Sequence, residues 1–250
     1  MRKITVFLFL LFAATNVFSQ KPPLGAARQM ILVTTFDWNS VQGKLQRFER
    51  LKPKDKWHKV GAEAMIVVGR NGLAWGKGLH SDSIYQPAQQ IKREGDGKSP
   101  AGVFSLTAAF GTVAVGQTTL VKLPYTPLVE STECVDDVKS GSYNTIVDRR
   151  QTGSLDWDSS EKMLAVGEPY ALGIFVAHNS NPVRKGMGSC IFLHIWKNSE
   201  TGTAGCTAMP KENISQIVQW LDPKAAPVLV QLPTEEFKKL RKQWQLPKNN

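Results

Sequence analysis

Cysteine is scarce in this sequence, with three residues among 250, at positions 134, 190 and 206. So low a count excludes a miniprotein stapled by disulfides and leaves hydrophobic burial to drive folding. Histidine is nearly as rare, with four residues, and neither a CxxC pair nor two histidines at ligand spacing occurs, so nothing points to a resident metal. Beyond the apolar run from Ile4 to Ala14, no segment approaches the ~20 residues needed to cross a bilayer. The 20 glycines and 14 prolines fall short of a collagenous or low-complexity chain. Acidic residues are also in deficit, 21 against 31 Lys and Arg, which leaves a formal charge of +10. What remains, 42% hydrophobic and 9% aromatic residues, is enough to bury a substantial core and rules out global disorder.

Residues 1–19, MRKITVFLFLLFAATNVFS, combine Arg2 and Lys3 with a short apolar run and the small residues Val17 and Ser19, the pattern of a secretory signal peptide. No cysteine lies near the expected cleavage point, so a lipoprotein route is not indicated, and the mature chain is expected to have no stable membrane span. Loss of Arg2 and Lys3 leaves +8, to be met outside the cytoplasm by anionic polymers and headgroups rather than by nucleic acid. The expected location is periplasmic or secreted.

The rest reads as a mainly β domain with peripheral helices. Strand-like runs are Gln29 to Phe36, Gly102 to Leu106, Thr119 to Leu123, Ala171 to His178, Cys190 to Ile195 and Pro227 to Leu232. Two apolar segments meeting at Asn71-Gly72 predict a hairpin. Val41, Leu45, Phe48 and Leu51 after Ser40 predict a short amphipathic helix. A helix is also expected from Pro210 to Leu221, stopped by Pro223, and another from Thr234, acidic at its start and basic later. The expected divisions are a signal peptide at 1–19, a strand and helix segment at 20–61, a main domain at 62–233 and a basic tail at 234–250. Gly95 to Ser99 (GDGKS) ends like a phosphate-binding loop, but Lys92 stands where the first glycine belongs and Pro100 obstructs the helix, so a turn between strands is expected.

Chemistry concentrates in Gly186 to Pro210, GMGSCIFLHIWKNSETGTAGCTAMP. His194 closes an apolar strand, and Cys206 follows twelve residues later in a small-residue turn before the expected helix. A neighbouring imidazole and a helix N-terminus would both favour the thiolate, and the amides around Gly205 to Thr207 are candidate oxyanion donors. On spacing alone, a buried or disulfide-bonded Cys206 and a strand histidine fit as well.

The runs GKSPAGVF (97–104), GSCIFLH (188–194) and TAGCTAM (203–209) resemble, in that order, the L,D-transpeptidase catalytic domain, or YkuD fold, of bacterial cell-wall enzymes. The resemblance covers roughly Ala62 to Leu232 and implies a YkuD-like β-sandwich. It implies Cys206 as nucleophile, His194 as general base and the Ile195 carbonyl as the group that orients the ring, with Gly205 and Thr207 beside them. Thr203, Ala204, Asn179, Ser189 and Tyr143 are the implied substrate-binding set. The chain departs from the commonest form, in which Ser-His-Gly precedes the cysteine and an arginine stands two residues after it. Here Thr203-Ala204-Gly205 and Ala208 take those places, features that resemble the YafK-like branch. The implied reaction is acyl transfer on peptidoglycan stem peptides, with a wall-attached protein as a further partner and without cofactor or metal. The alternatives are a cysteine hydrolase of the same fold and a non-catalytic wall-binding module.

Other residues stay open at this level. Cys190, His194 and Cys206 make a poor zinc pattern. In an oxidising compartment Cys134 and Cys190 are expected to pair, with two buried free thiols as the alternative. Asp136, Asp137, Tyr143 and Asn144 in ECVDDVKSGSYN lie in a loop of cleft-lining or merely solvated character, His178 fits a core or rim role, and His58 and His80 have no assigned partner.

Overall fold

The computed structural model describes residues 22–85, 90–114 and 120–248, so the expected signal peptide lies outside the described residues. Its strands are β1 (Gln29–Thr35), β2 (Gln42–Glu49), β3 (His58–Val67), β4 (Leu73–Trp75), β5 (Ser99–Gly111), β6 (Tyr125–Pro127), β7 (Thr132–Val135), β8 (Ile146–Asp148), β9 (Ser160–Lys162), β10 (Leu172–Val176), β11 (Phe192–Ile195), β12 (Thr207–Met209) and β13 (Val228–Pro233). Two helices, α1 (Lys211–Trp220) and α2 (Thr234–Leu240), complete the regular structure among the described residues, which is mainly β.

One sheet runs β10-β11-β12-β3-β2-β1-β13-β5, and β5 pairs back onto β10, so the two faces expected of a sandwich belong to a sheet closed on itself. Closure leaves none of these eight strands with an open edge. β1 and β13 run parallel through its middle, and both are buried along nearly their whole length, as near-continuous apolar runs should be. The core is filled by Met30, Ile31, Val33, Val103, Phe104, Leu229 and Val230. α1 covers β10 and β11 with Ile214, Ile217 and Val218. α2 buries Phe237, and its Glu235–Lys238 and Glu236–Lys239 pairs follow the helix dipole.

A three-stranded side sheet, β8-β7-β9, is pinned to the barrel by a Cys134–Cys190 disulfide with a Cα–Cα distance of 6.0 Å. Inside it, Glu133 accepts from Trp157 Nε1 (2.9 Å) and Ser160 Oγ (2.7 Å) and faces Lys162 (2.5 Å).

Three local expectations are corrected. The segment after Ser40 is β2, not a helix. A bulge between Leu45 and Arg47 puts Leu45 and Phe48 on the same inner face, and their three-residue spacing then mimics a helical stripe. Asn71-Gly72 does close a tight turn, with Gly72 N–H on Gly69 O at 2.8 Å and φ +78° at Gly72, but its flanks do not form a hairpin. β3 pairs with β2 and β12, while β4 runs parallel to β5. In Thr119 to Leu123, Thr119 is outside the described residues, and 120–123 form no strand and bury only Leu123 before β6. Residues 94–98 form the turn expected of GDGKS, and Ser99 opens β5.

Candidate active site

β11 and β12 lie side by side and parallel, with Leu193 opposite Thr207 and His194 opposite Ala208. One step back along the pair, Cys206 stands beside Phe192, whose N–H points at Sγ from 3.3 Å. Alternation along both strands therefore puts Phe192, His194, Cys206 and Ala208 on one face of the barrel. His194 Nδ1 lies 2.7 Å from the carbonyl oxygen of Ile195, which places the N–H on Nδ1 and leaves Nε2 as the basic nitrogen. Both side chains are nearly enclosed: Cys206 is 6% exposed and His194 8%.

Enclosure sets the electrostatics. Burial pushes the Cys206 thiol up to about 12, helped by the Glu161 carboxylate and opposed by Phe192 N–H, the Tyr170 hydroxyl and Lys92. Burial likewise pushes His194 down to about 4, against the pull of the Ile195 carbonyl. The resting pair is therefore neutral thiol and neutral imidazole. Contrary to expectation, Cys206 does not stand at a helix N-terminus, because β12 intervenes and α1 begins at Lys211.

The turn before Cys206 is held rigidly. Thr203 Oγ1 donates to Cys206 O (2.6 Å) and accepts from Gly205 N–H (3.1 Å), while Ser99 Oγ also donates to Cys206 O (2.7 Å). The Gly205 amide is thus occupied by Thr203 rather than open to an oxyanion. Thr207 lies in the β12 ladder with its hydroxyl on Gln231 (2.7 Å), and Ala204 is exposed on the rim. Gly205 is tightly walled, since a Cβ there would come within 3.2 Å of Lys98 O.

Ser189 and Tyr143 meet at one acceptor, both donating to Glu94 Oε2, Ser189 from 2.7 Å. Asn179 is turned inward, with its amide on Arg184 O (2.8 Å) and Gly188 O (2.9 Å). Asn144 ties its loop to His178 O, to Asn179 O and to the Cys190 N–H. Asp137 accepts from the Lys139 and Asp158 amides, and Asp136 from Ser159. His178 is a core residue bridging Lys77 N–H and Met187 O, and His80 is buried among Trp75, Phe104 and Trp244. Among the described residues no cluster of His, Cys, Asp and Glu could hold a metal ion.

Tyr170 and Glu161 were not visible as site residues in the sequence. The Tyr170 ring stands 5.2 Å from that of His194, and its hydroxyl donates to Glu161 Oε2 at 2.6 Å. Glu161 lies in β9 and Tyr170 in the connection from β9 to β10, neither within a motif; only the barrel closure brings that connection over β11. A groove of about 660 Å3, rich in Lys and Arg, lies at the other end of β3, away from the cysteine.

The description of the L,D-transpeptidase catalytic domain, YkuD, matches residues 52–230. The chain belongs to this family. The family is one of peptidoglycan-modifying enzymes that depend on cysteine. Among solved structures, the chain is similar to the helical cell shape determining protein Pgp2 from Campylobacter jejuni, at 15% identity and TM-score 0.35, over 82% of this chain and 47% of that one. The chain thus spans about half the length of that protein. Among curated proteins nothing matches.

Proposed function

We propose that the chain is a peptidoglycan L,D-transpeptidase that acts through a thioester on Cys206. The observation that carries the reading is the common face of Cys206 and His194, with the ring tethered to Ile195 O so that Nε2 is the nitrogen free to exchange a proton. Sγ attacks the carbonyl carbon of a stem-peptide bond, the S–C bond forms, and the C–N bond breaks as the amine leaves with a proton. An acceptor amine then attacks the thioester and releases Sγ. On this reading Ser189 and Tyr143, which both donate to Glu94, brace the wall on the Cys190 side against which the donor peptide would lie. Ala208, opposite His194 in the β11–β12 pair, stands where the commonest form of the family has an arginine. The Cys134–Cys190 disulfide supports an oxidising, extracytoplasmic location.

The test is incubation of the mature chain with defined muropeptides and mass analysis of the products. Cross-linked or exchanged stems are expected, with Cys206→Ala inactive and folded. Release of shortened stems alone would move the assignment to a hydrolase, and turnover by Cys206→Ala would overturn the thioester.

A further inference from the structure

We propose that the basic trough at the far end of β3 is a second wall-holding site, in which the buried Arg50 guanidinium and the lysines around it bind the free carboxylates of peptidoglycan stem peptides. The choice of ligand rests on the wall-directed reading above; the site itself rests on charge and burial. Arg50 is 5% exposed and donates from Nε to Ala27 O (2.7 Å) and from Nη2 to Leu24 O (2.9 Å), while its guanidinium stacks 4.2 Å from the centre of the Trp57 ring. These partners are all neutral. The other buried Lys, Arg, Asp and Glu side chains among the described residues are paired, Lys92 with Asp96, Glu133 with Lys162 and Glu236 with Lys239. Arg50 alone has no carboxylate at ion-pair distance among the described residues, and three of its five N–H donors make no hydrogen bond there. A buried cation without a counter-ion is costly until an anion completes it.

Arg50 lies where two grooves meet. One, of about 660 Å3, is lined by Lys54, Lys56, Lys59, Arg241, Lys242 and Lys248 against the carboxylate of Asp55, which turns back onto the Lys52 N–H (3.0 Å). The other, of about 450 Å3, adds Arg28 and Lys122 against Glu49 and Asp222, and Arg50 and His58 line both. The wall is anchored. Trp57 Nε1 donates to Gln245 O (3.1 Å), and the buried Trp244 and Leu246 fix the segment after α2 that carries Lys248 to the groove. The basic tail therefore forms one side of a trough rather than a solvated helix face. A concave trough suits a strand better than a flat bilayer, and the planar guanidinium fork matches a carboxylate. β3 runs from His58 in the trough to Val67, which pairs with Ala208, two residues from Cys206. The two sites thus stand roughly 30 Å apart along the strand. Attachment of one polymer at both points raises its effective concentration at the thiol.

The probe is insoluble peptidoglycan, with its carboxylates free or blocked by amidation. Binding is read by co-sedimentation of the full mature chain carrying Cys206→Ala, so that no acyl-enzyme contributes. In that background Lys54→Gln/Lys59→Gln/Lys242→Gln, at three exposed positions, should weaken binding about tenfold or more. Lys44→Gln/Arg150→Gln/Lys211→Gln removes the same charge from exposed positions elsewhere and should leave binding within about twofold. Amidated peptidoglycan should be held as weakly by the unaltered groove as free peptidoglycan is by the groove variant. With Cys206 intact, the groove variant should keep its kcat on short soluble muropeptides and show a raised KM on the polymeric wall alone. Arg50→Gln should also weaken binding, with folding checked by near-UV circular dichroism; should it unfold, the lysine variant decides. Equal losses in the two triple variants, undiminished binding by the groove variant, or binding indifferent to amidation would overturn the site. Tighter groove-dependent binding to vesicles of anionic phospholipid than to peptidoglycan would overturn the assigned ligand in favour of a membrane. A chain that holds the wall through the groove but turns over no muropeptide would leave the site standing and remove the transpeptidase reading. Muropeptide turnover without groove-dependent binding would do the reverse.

Discussion

Breaking the Cys134–Cys190 bridge should weaken the protein greatly without touching Cys206. The bridge spans 56 residues and ties the side sheet to the strand that carries His194. In the chain-entropy picture a loop of that length removes roughly 14 cal/mol/K from the unfolded ensemble, or about 4 kcal/mol at 25 °C. For a domain of this size, each kcal/mol moves the melting temperature by about 2–4 °C, so the loss should be on the order of 8–16 °C. The measurement is thermal and denaturant unfolding of Cys134→Ala/Cys190→Ala against wild type, each with and without reductant. The double variant should melt at the temperature of the reduced wild type and be insensitive to reductant. Peptide mapping of the oxidised protein should find Cys206 as the free thiol, as its buried, unbridged position requires. A wild type that melts at one temperature in both redox states, or a bridge mapped to Cys206, would refute the reasoning.

Glu161 gives a second, pH-dependent signature. Its folded value of about 7 lies above the ordinary 4.5, so its penalty is absent below about 4.5 and grows until the pH passes 7. Glu161→Gln should consequently match wild type in stability at pH 4 and exceed it at pH 8, by about 1–3 kcal/mol after allowance for partial exposure, in urea titrations at the two pH values. Gly173→Ala should destabilise by about 1–3 kcal/mol in the same assay, because its Cβ would fall 2.3 Å from the Phe110 ring that braces Tyr170 and Phe192. Since His194 is held near 4, the acid limb of activity should fall below pH 5 rather than near 6.5; a limb at 6.5 would show that the ring is solvated in the working enzyme.

The mainly β character, the helix after Pro210 and the family were legible because each leaves a local mark: β-branched runs, a proline before an apolar stripe, and motifs in fixed order. β2 was misread because a bulge changes the period on which the reading depends. The Asn71-Gly72 turn was found, but strand partnership is decided by distant segments, and β4 is claimed by β5. The helix-terminus argument for Cys206 failed because three residues, Thr207 to Met209, extend the sheet before the chain can coil. Tyr170 and Glu161 left no trace in the sequence, since a tyrosine in an irregular connection and a glutamate in a three-residue strand look like any others until β10 closes onto β5.

The position of β13 bears on how the chain is made. β13 inserts between β1 and β5, and its residues are the last of the barrel to leave the ribosome, almost two hundred positions after its partner β1. Until residue 233 has emerged, β1 and β5 each present an apolar, unpaired flank, and the strands bearing Cys206 and His194 have no closed frame on which to register. Closure of the barrel therefore waits for β13, the loop-closure penalty of that long-range pairing falls in a single event, and until then the apolar flanks of β1 and β5 are open to aggregation.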